Sequence, residues 1–146
     1  MDFHIIDDNQ TMLNVVCSIL EDEGFIVRGF SCPVEYLQFT EQPGYQPPQA
    51  IISDVRMPNI NGFELVQKIR NRFGDQRFML FSGYNELHDQ QVWTCSQLSK
   101  PFLPEELLTK AKQILLCNKD ASACVQLGAC IKQLKNNSLT KASRQA

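Results

Sequence analysis

The sequence predicts an α/β domain built on a parallel sheet, and three observations carry that prediction. Short β-branched apolar runs alternate along the chain with segments of helical periodicity. The runs are apolar throughout, as strands covered on both faces are. Acidic or hydroxyl residues stand where runs end: Asp7 and Asp8 after Phe3-His4-Ile5-Ile6, Asp54 after Ala50-Ile51-Ile52, and Ser82 after Arg77-Phe78-Met79-Leu80-Phe81. In open α/β sheets, ligands bind at those carboxyl ends.

Each element has its own signal. After the first strand, Gln10 to Glu23 carries Met12, Val15, Val16, Ile19 and Leu20 at the spacing of a core-facing helix, and Gly24 ends it. Phe25 to Phe30 reads as the second strand. Ser31 is the expected cap of a helix with Pro33 in its first turn and with Val34, Leu37 and Phe39 as apolar positions. Gln42 to Gln49 holds Pro43, Gly44, Pro47 and Pro48 and reads as a loop. The third strand begins at Ala50, ends near Asp54, and breaks into a loop at Pro58 and Gly62, because Pro58 restricts Met57 to extended geometry. Phe63 to Phe73 has helical spacing, and Gly74-Asp75 breaks it before the fourth strand. Leu87, Val92 and Trp93 indicate one short helix, and Cys95 to Leu98 a short fifth strand. Pro104 to Leu116 is a helix with Pro104 near its start and Glu105 and Glu106 in its first turn.

Right-handed crossovers between such elements give a three-layer sandwich. Five strands and five helices resemble the flavodoxin-like order 2-1-3-4-5, whose switch point lies between the first and third strands. That places Asp7, Asp8 and Asp54 together. Three carboxylates that close call for a cation, and an oxygen-only donor set suits Mg2+.

Composition limits the alternatives. The chain has 146 residues, 43% hydrophobic and 21% charged, which fits one soluble domain over residues 1–116 with a tail over 117–146. No apolar run approaches the ~20 residues of a membrane span, and no signal-peptide pattern opens the chain, so a cytoplasmic protein without a membrane partner is expected. The cysteines (Cys17, Cys32, Cys95, Cys117, Cys124 and Cys130) form no Cys-x-x-Cys pair, and only His4 and His88 could assist a zinc site. Free thiols are the expectation, with Cys17 in the core. Residues 1–117 hold 9 Lys and Arg against 15 Asp and Glu, a net of −6; residues 118–146 hold 5 against 1, a net of +4. The basic tail carries Cys124, Leu127, Ile131 and Leu134 at helical spacing and reads as a helix over about 119–135 that frays beyond Asn136-Asn137. A tail of about thirty residues is too short for a DNA-binding domain with its own core, so a nucleic-acid partner is not expected. Its apolar stripe needs a cover, either the domain itself or a second copy in a homodimer.

The motifs in order are Asp7-Asp8, then Asp54 followed by Met57-Pro58 and Gly62, then Ser82-Gly83, then Lys100-Pro101-Phe102. This order resembles the receiver domain of two-component response regulators, of the stand-alone chemotaxis type, over roughly residues 1 to 116. The resemblance implies that Asp54 takes a phosphoryl group from a histidine kinase or phosphotransfer protein. It implies that Asp7 and Asp8 hold Mg2+ with Asp54 and the backbone carbonyl of Arg56. It gives Lys100 a pairing with Asp54, Ser82 a hydrogen bond to the phosphoryl group, and Gly83 room for the donor. It also implies a cis Lys100-Pro101 bond and signalling to a downstream protein by contact, with no separate enzymatic turnover.

Two features depart from the family pattern. Only seventeen residues separate Ser82 from Lys100, and the switch position three residues before the lysine, usually Tyr or Phe, is Gln97. Three other readings compete. A receiver-like scaffold would not need phosphorylation; the missing aromatic favours it and the intact acidic set opposes it. A haloacid-dehalogenase-like phosphatase needs a second aspartate two residues after the first, where this chain has Arg56. A flavin-binding protein needs a phosphate-cradling loop after the first strand, where Asp7-Asp8 would repel the phosphate.

Overall fold

The computed structural model describes residues 1–74, 76–83 and 96–116. Within them lie β1 (Phe3–Ile6), α1 (Gln10–Asp22), β2 (Val27–Phe30), α2 (Pro33–Thr40), β3 (Ala50–Asp54), α3 (Gly62–Phe73), β4 (Phe78–Ser82), β5 (Ser96–Ser99) and α4 (Pro104–Leu116). The strands form one parallel sheet, as the alternation predicts, in the order β2-β1-β3-β4-β5 that the flavodoxin-like resemblance implies. The short helix expected around Leu87, Val92 and Trp93, the tail helix expected over about 119–135, and Cys95, Cys117, Cys124 and Cys130 lie outside the described residues. No described helix is long and apolar enough to cross a membrane.

The two-residue period of each strand sends alternate side chains to opposite faces. On one face Phe3, Ile5, Ile52, Met79 and Phe81 pack against Leu13, Val16 and Leu20 of α1 and Leu107, Ala111 and Ile114 of α4. On the other, Ile6, Ile51, Phe78 and Leu80 pack against Tyr36 of α2 and Leu65, Val66 and Ile69 of α3. Each fully covered Leu or Ile contributes roughly 1.5–3 kcal/mol relative to exposure. The two layers therefore fix the sheet from both sides, and with it the row of residues at its carboxyl edge.

Helix α1 shows its expected start and stop but a different buried face. The Asn9 side chain caps it by accepting from Met12 N–H at 3.1 Å, and Gly24 leaves it at φ +94°. Val15, expected in the core, is 45% exposed, whereas Leu13 is buried. The cause lies on β2: Gly29 lacks a Cβ, and Leu13 and Cys17 fill that space to 3.0 and 3.1 Å of where one would stand. The helix has turned its Leu13-Val16-Cys17-Leu20 stripe into the gap. Cys17 and Cys32 are free and half-buried.

Helix α2 differs from expectation at its cap and its core residue. Cys32, in extended geometry, is the N-cap and makes no side-chain cap bond, with Pro33 as the first helical residue. Proline keeps the residue before it extended, so the boundary falls at Cys32 and not Ser31. Tyr36 is fully buried. Its hydroxyl meets His4 Nδ1 at 2.8 Å, so the buried phenol has a partner inside the core. Gly62, expected in a loop, is the first residue of α3, and Asn61 caps that helix by accepting from Glu64 N–H at 2.9 Å.

Candidate functional site

The residues singled out from the sequence fall on one edge of the sheet. Asp7 follows β1 directly, Asp54 ends β3, Ser82 ends β4, and Lys100 follows β5 directly. Strands β1 and β3 are neighbours, so Asp7 and Asp54 flank the point where the strand order reverses. Parallel pairing brings Asp54 opposite Phe81 and Ser82 opposite Ser99. Because all five strands run the same way, these ends share one side of the molecule.

The geometry is that of a compact charged cluster. One carboxylate oxygen from each of Asp7, Asp8 and Asp54 lies within 4.8 Å of the others. Lys100 Nζ stands 3.2 Å from Asp54 Oδ2 and 3.7 Å from Asp7 Oδ2. The second oxygens are held by backbone: Asn9 N–H donates to Asp7 Oδ1 and Val55 N–H to Asp54 Oδ1, each at 2.9 Å. Asp7 is fully buried, Asp54 is 8% exposed, and Asp8 is exposed. The Lys100-Pro101 bond is cis.

Burial and charge act against each other here. Burial pushes the Asp54 carboxyl up from its ordinary value; Lys100 and the Val55 amide oppose that, and Asp8 adds to it. Burial likewise raises Asp7, with the Asn9 amide and Lys100 opposing and Asp54 and Asp8 adding. Lys100 thus pairs with two of the three clustered carboxylates. Asp7 Oδ2 is fully covered and accepts no hydrogen bond among the described residues, with Lys100 Nζ no nearer than 3.7 Å, an arrangement that a closer cation would relieve. An all-oxygen set with a covered, unsatisfied acceptor fits a hard divalent cation such as Mg2+.

The remaining candidates divide. Ser82 Oγ is buried and has no hydrogen-bond partner among the described residues. Arg56 sits exposed in the loop after β3, two residues beyond Asp54, between buried Val55 and Met57. Gln97 lies at the centre of β5, half-buried and opposite Leu80.

Sequence reasoning missed the packing that holds Asp54 in place. Gly62 N–H donates to Val55 O at 2.7 Å, and Val55 N–H also donates to Phe81 O at 2.9 Å. A Cβ at Gly62 would stand 2.5 Å from the Asp54 carbonyl oxygen. The available signal was Asn61-Gly62-Phe63-Glu64, in which an N-cap residue is followed three positions later by glutamate, as in a capping box.

Comparison with known proteins agrees with this arrangement. The chain is 30% identical over 132 residues to an uncharacterized 14.6 kDa protein in the sodA1 3' region of Leptolyngbya boryana, covering 80% of this chain and 91% of that one. It is 24% identical to the response regulator SaeR of Staphylococcus epidermidis over 76% of this chain, but spans only 48% of SaeR. Among solved structures, the chemotaxis response regulator CheY4 of Vibrio cholerae superposes with a TM-score of 0.68 at 27% identity, covering 78% of this chain and 98% of that one. The model of the response regulator receiver domain matches residues 3–112, from the first strand through most of α4. With the acidic cluster, the hydroxyl and the lysine all inside that span, the chain belongs to the response regulator receiver domain family of two-component systems.

Proposed function

We propose that the chain is a phosphoacceptor: Asp54 receives a phosphoryl group from the phosphohistidine of a histidine kinase or phosphotransfer protein. The observation that carries this reading is the pairing of Asp54 with Lys100 at 3.2 Å inside the three-carboxylate cluster. An Asp54 oxygen bonds to phosphorus as the bond from phosphorus to the donor imidazole nitrogen breaks, and the electron pair leaves with that nitrogen. Transfer of this kind depends on positioning and on charge neutralisation more than on covalent chemistry. The Val55 amide fixes the orientation of the Asp54 carboxylate. Lys100 is placed to follow the negative charge from the carboxylate to the phosphoryl oxygens. Ser82 Oγ, without a partner among the described residues, supplies a donor to the same oxygens.

Asp7, Asp8 and Asp54, with the backbone carbonyl of Arg56, are the residues that would hold Mg2+. The bound ion would supply the positive charge that three carboxylates and one lysine leave short. Gln97 gives this chain no aromatic ring at the switch position, so the signal leaves by movement of the Ser82 and Lys100 segments without a ring rotation at residue 97. Incubation with Mg2+ and acetyl phosphate, read by intact mass, tests the assignment: one phosphoryl group adds to the wild type and none to Asp54→Asn.

A further inference from the structure

His4 lines a cavity that shares no lining residue with the phosphotransfer site. It lies on β1 with its side chain on the α2 face and is 3% exposed. Its Nδ1 meets Tyr36 Oη at 2.8 Å, and Tyr36 Oη meets Tyr45 Oη at 3.0 Å. The other ring nitrogen, Nε2, has no hydrogen-bond partner among the described residues and is not fully covered.

The space beside it has the size and walls of a small-ligand site. A cavity of about 270 Å³ is lined by His4, Phe39, Gln42, Pro43, Tyr45 and Pro47, among others. The rings of His4, Phe39 and Tyr45 surround one another, with centroids 5.8 Å apart for His4 and Phe39, 6.1 Å for His4 and Tyr45, and 5.6 Å for Phe39 and Tyr45. Its walls combine the rings of His4, Phe39 and Tyr45 and two prolines with the polar side chains of Gln42 and Gln46, and small-ligand pockets pair apolar walls with polar groups in this way.

We propose that this cavity binds a small neutral aromatic molecule carrying one hydroxyl or amine, with its ring against Phe39 and Tyr45 and the polar group on His4 Nε2. The hydrogen-bond chain lets His4 accommodate either polarity. When Tyr36 donates to Nδ1, Nε2 carries the proton and donates to the ligand; when Nδ1 donates to Tyr36, Nε2 accepts. The imidazole is neutral at pH 7, since burial, then Arg28, then the N-terminal amine lower its pKa to about 4. Nε2 therefore keeps both options at physiological pH, and the neighbouring positive charges disfavour a cationic ligand.

Phenol and benzene are the probes, titrated into the full chain across the millimolar range. The imidazole nitrogen NMR spectrum is read, with His88 as the internal reference. Phenol is expected to shift the His4 Nε2 signal saturably and to bind about fivefold more tightly than benzene, the difference of one ordinary hydrogen bond. In His4→Phe that discrimination is expected to vanish while ring binding remains. If this variant does not fold, the wild-type ratio and the Nε2 shift decide alone. A non-saturating His4 response, equal affinity for the two probes in the wild type, or an equal response at His88 overturns the proposal.

Discussion

Gly62 stands against the backbone of Asp54: a Cβ added at Gly62 would lie 2.5 Å from the Asp54 carbonyl oxygen and 3.0 Å from Val55 Cα. Neither neighbour is the end of a flexible side chain, so neither can step aside cheaply. The first turn of α3 and the end of β3 are thus packed as one unit, with Gly62 N–H on Val55 O and Val55 N–H on Asp54 Oδ1.

Gly62→Ala is therefore expected to displace the Asp54 segment. The cost should be about 1–3 kcal/mol, as for other overpacked sites. Urea unfolding measures the stability, and acetyl phosphate labelling measures the rate of transfer to Asp54. Both should fall together. Labelling at the wild-type rate would mean that Asp54 is positioned without this contact.

Replacing a buried carboxylate should stabilise the fold. Burial raises the Asp7 carboxyl, so the folded state holds its proton to higher pH than the unfolded chain does. Above the folded pKa both states are ionised and the native state carries the full penalty. Asp7→Asn keeps the acceptor for the Asn9 amide and removes the charge; it should gain on the order of 1 kcal/mol at neutral pH without metal. Mg2+ should reverse the order. At about ten times its Kd it stabilises the wild type by about 1.4 kcal/mol, and it should leave Asp7→Asn unchanged. Thermal melts with and without Mg2+ check both halves.

The pH dependence of stability should carry a His4 component. Its pKa falls from the ordinary 6.5 to about 4, through burial first, then Arg28 and the N-terminal amine. Between those values the unfolded chain binds the proton and the folded one does not. The stability is complete above about pH 6.5 and is lost progressively as pH falls toward 4, on the order of 3 kcal/mol in all. The NMR titration of His4 should have its midpoint near pH 4, with His88 distinguished by substitution. A midpoint near 6.5 would mean that the His4–Tyr36 contact opens in solution.

Much of this was legible in the residues, because strands buried on both faces write themselves as short apolar runs and their ends are marked by a change of chemistry. Asp7, Asp54, Ser82 and Lys100 could be placed at one edge from alternation alone, since a parallel sheet puts all carboxyl ends together. Helix faces were less legible. Met12, Val15, Val16, Ile19 and Leu20 offer one stripe and Leu13, Val16, Cys17 and Leu20 another; the missing Cβ of Gly29 decided between them. That contact joins residues from two elements and leaves no local mark. The same holds for His4 and Tyr36, which sit thirty-two positions apart and satisfy each other's polar groups. A polar residue at a core position can be recognised only with its partner in view.

The most direct test of the phosphoacceptor assignment is intact mass after incubation with Mg2+ and acetyl phosphate, run on the wild type, Asp54→Asn and Lys100→Ala. The wild type is expected to gain a single phosphoryl group and to lose the gain when Mg2+ is chelated before the donor is added. Asp54→Asn should gain nothing, and Lys100→Ala should label more slowly. Labelling of Asp54→Asn to the wild-type level, or a wild type that takes no phosphoryl group at any Mg2+ concentration, would contradict the account.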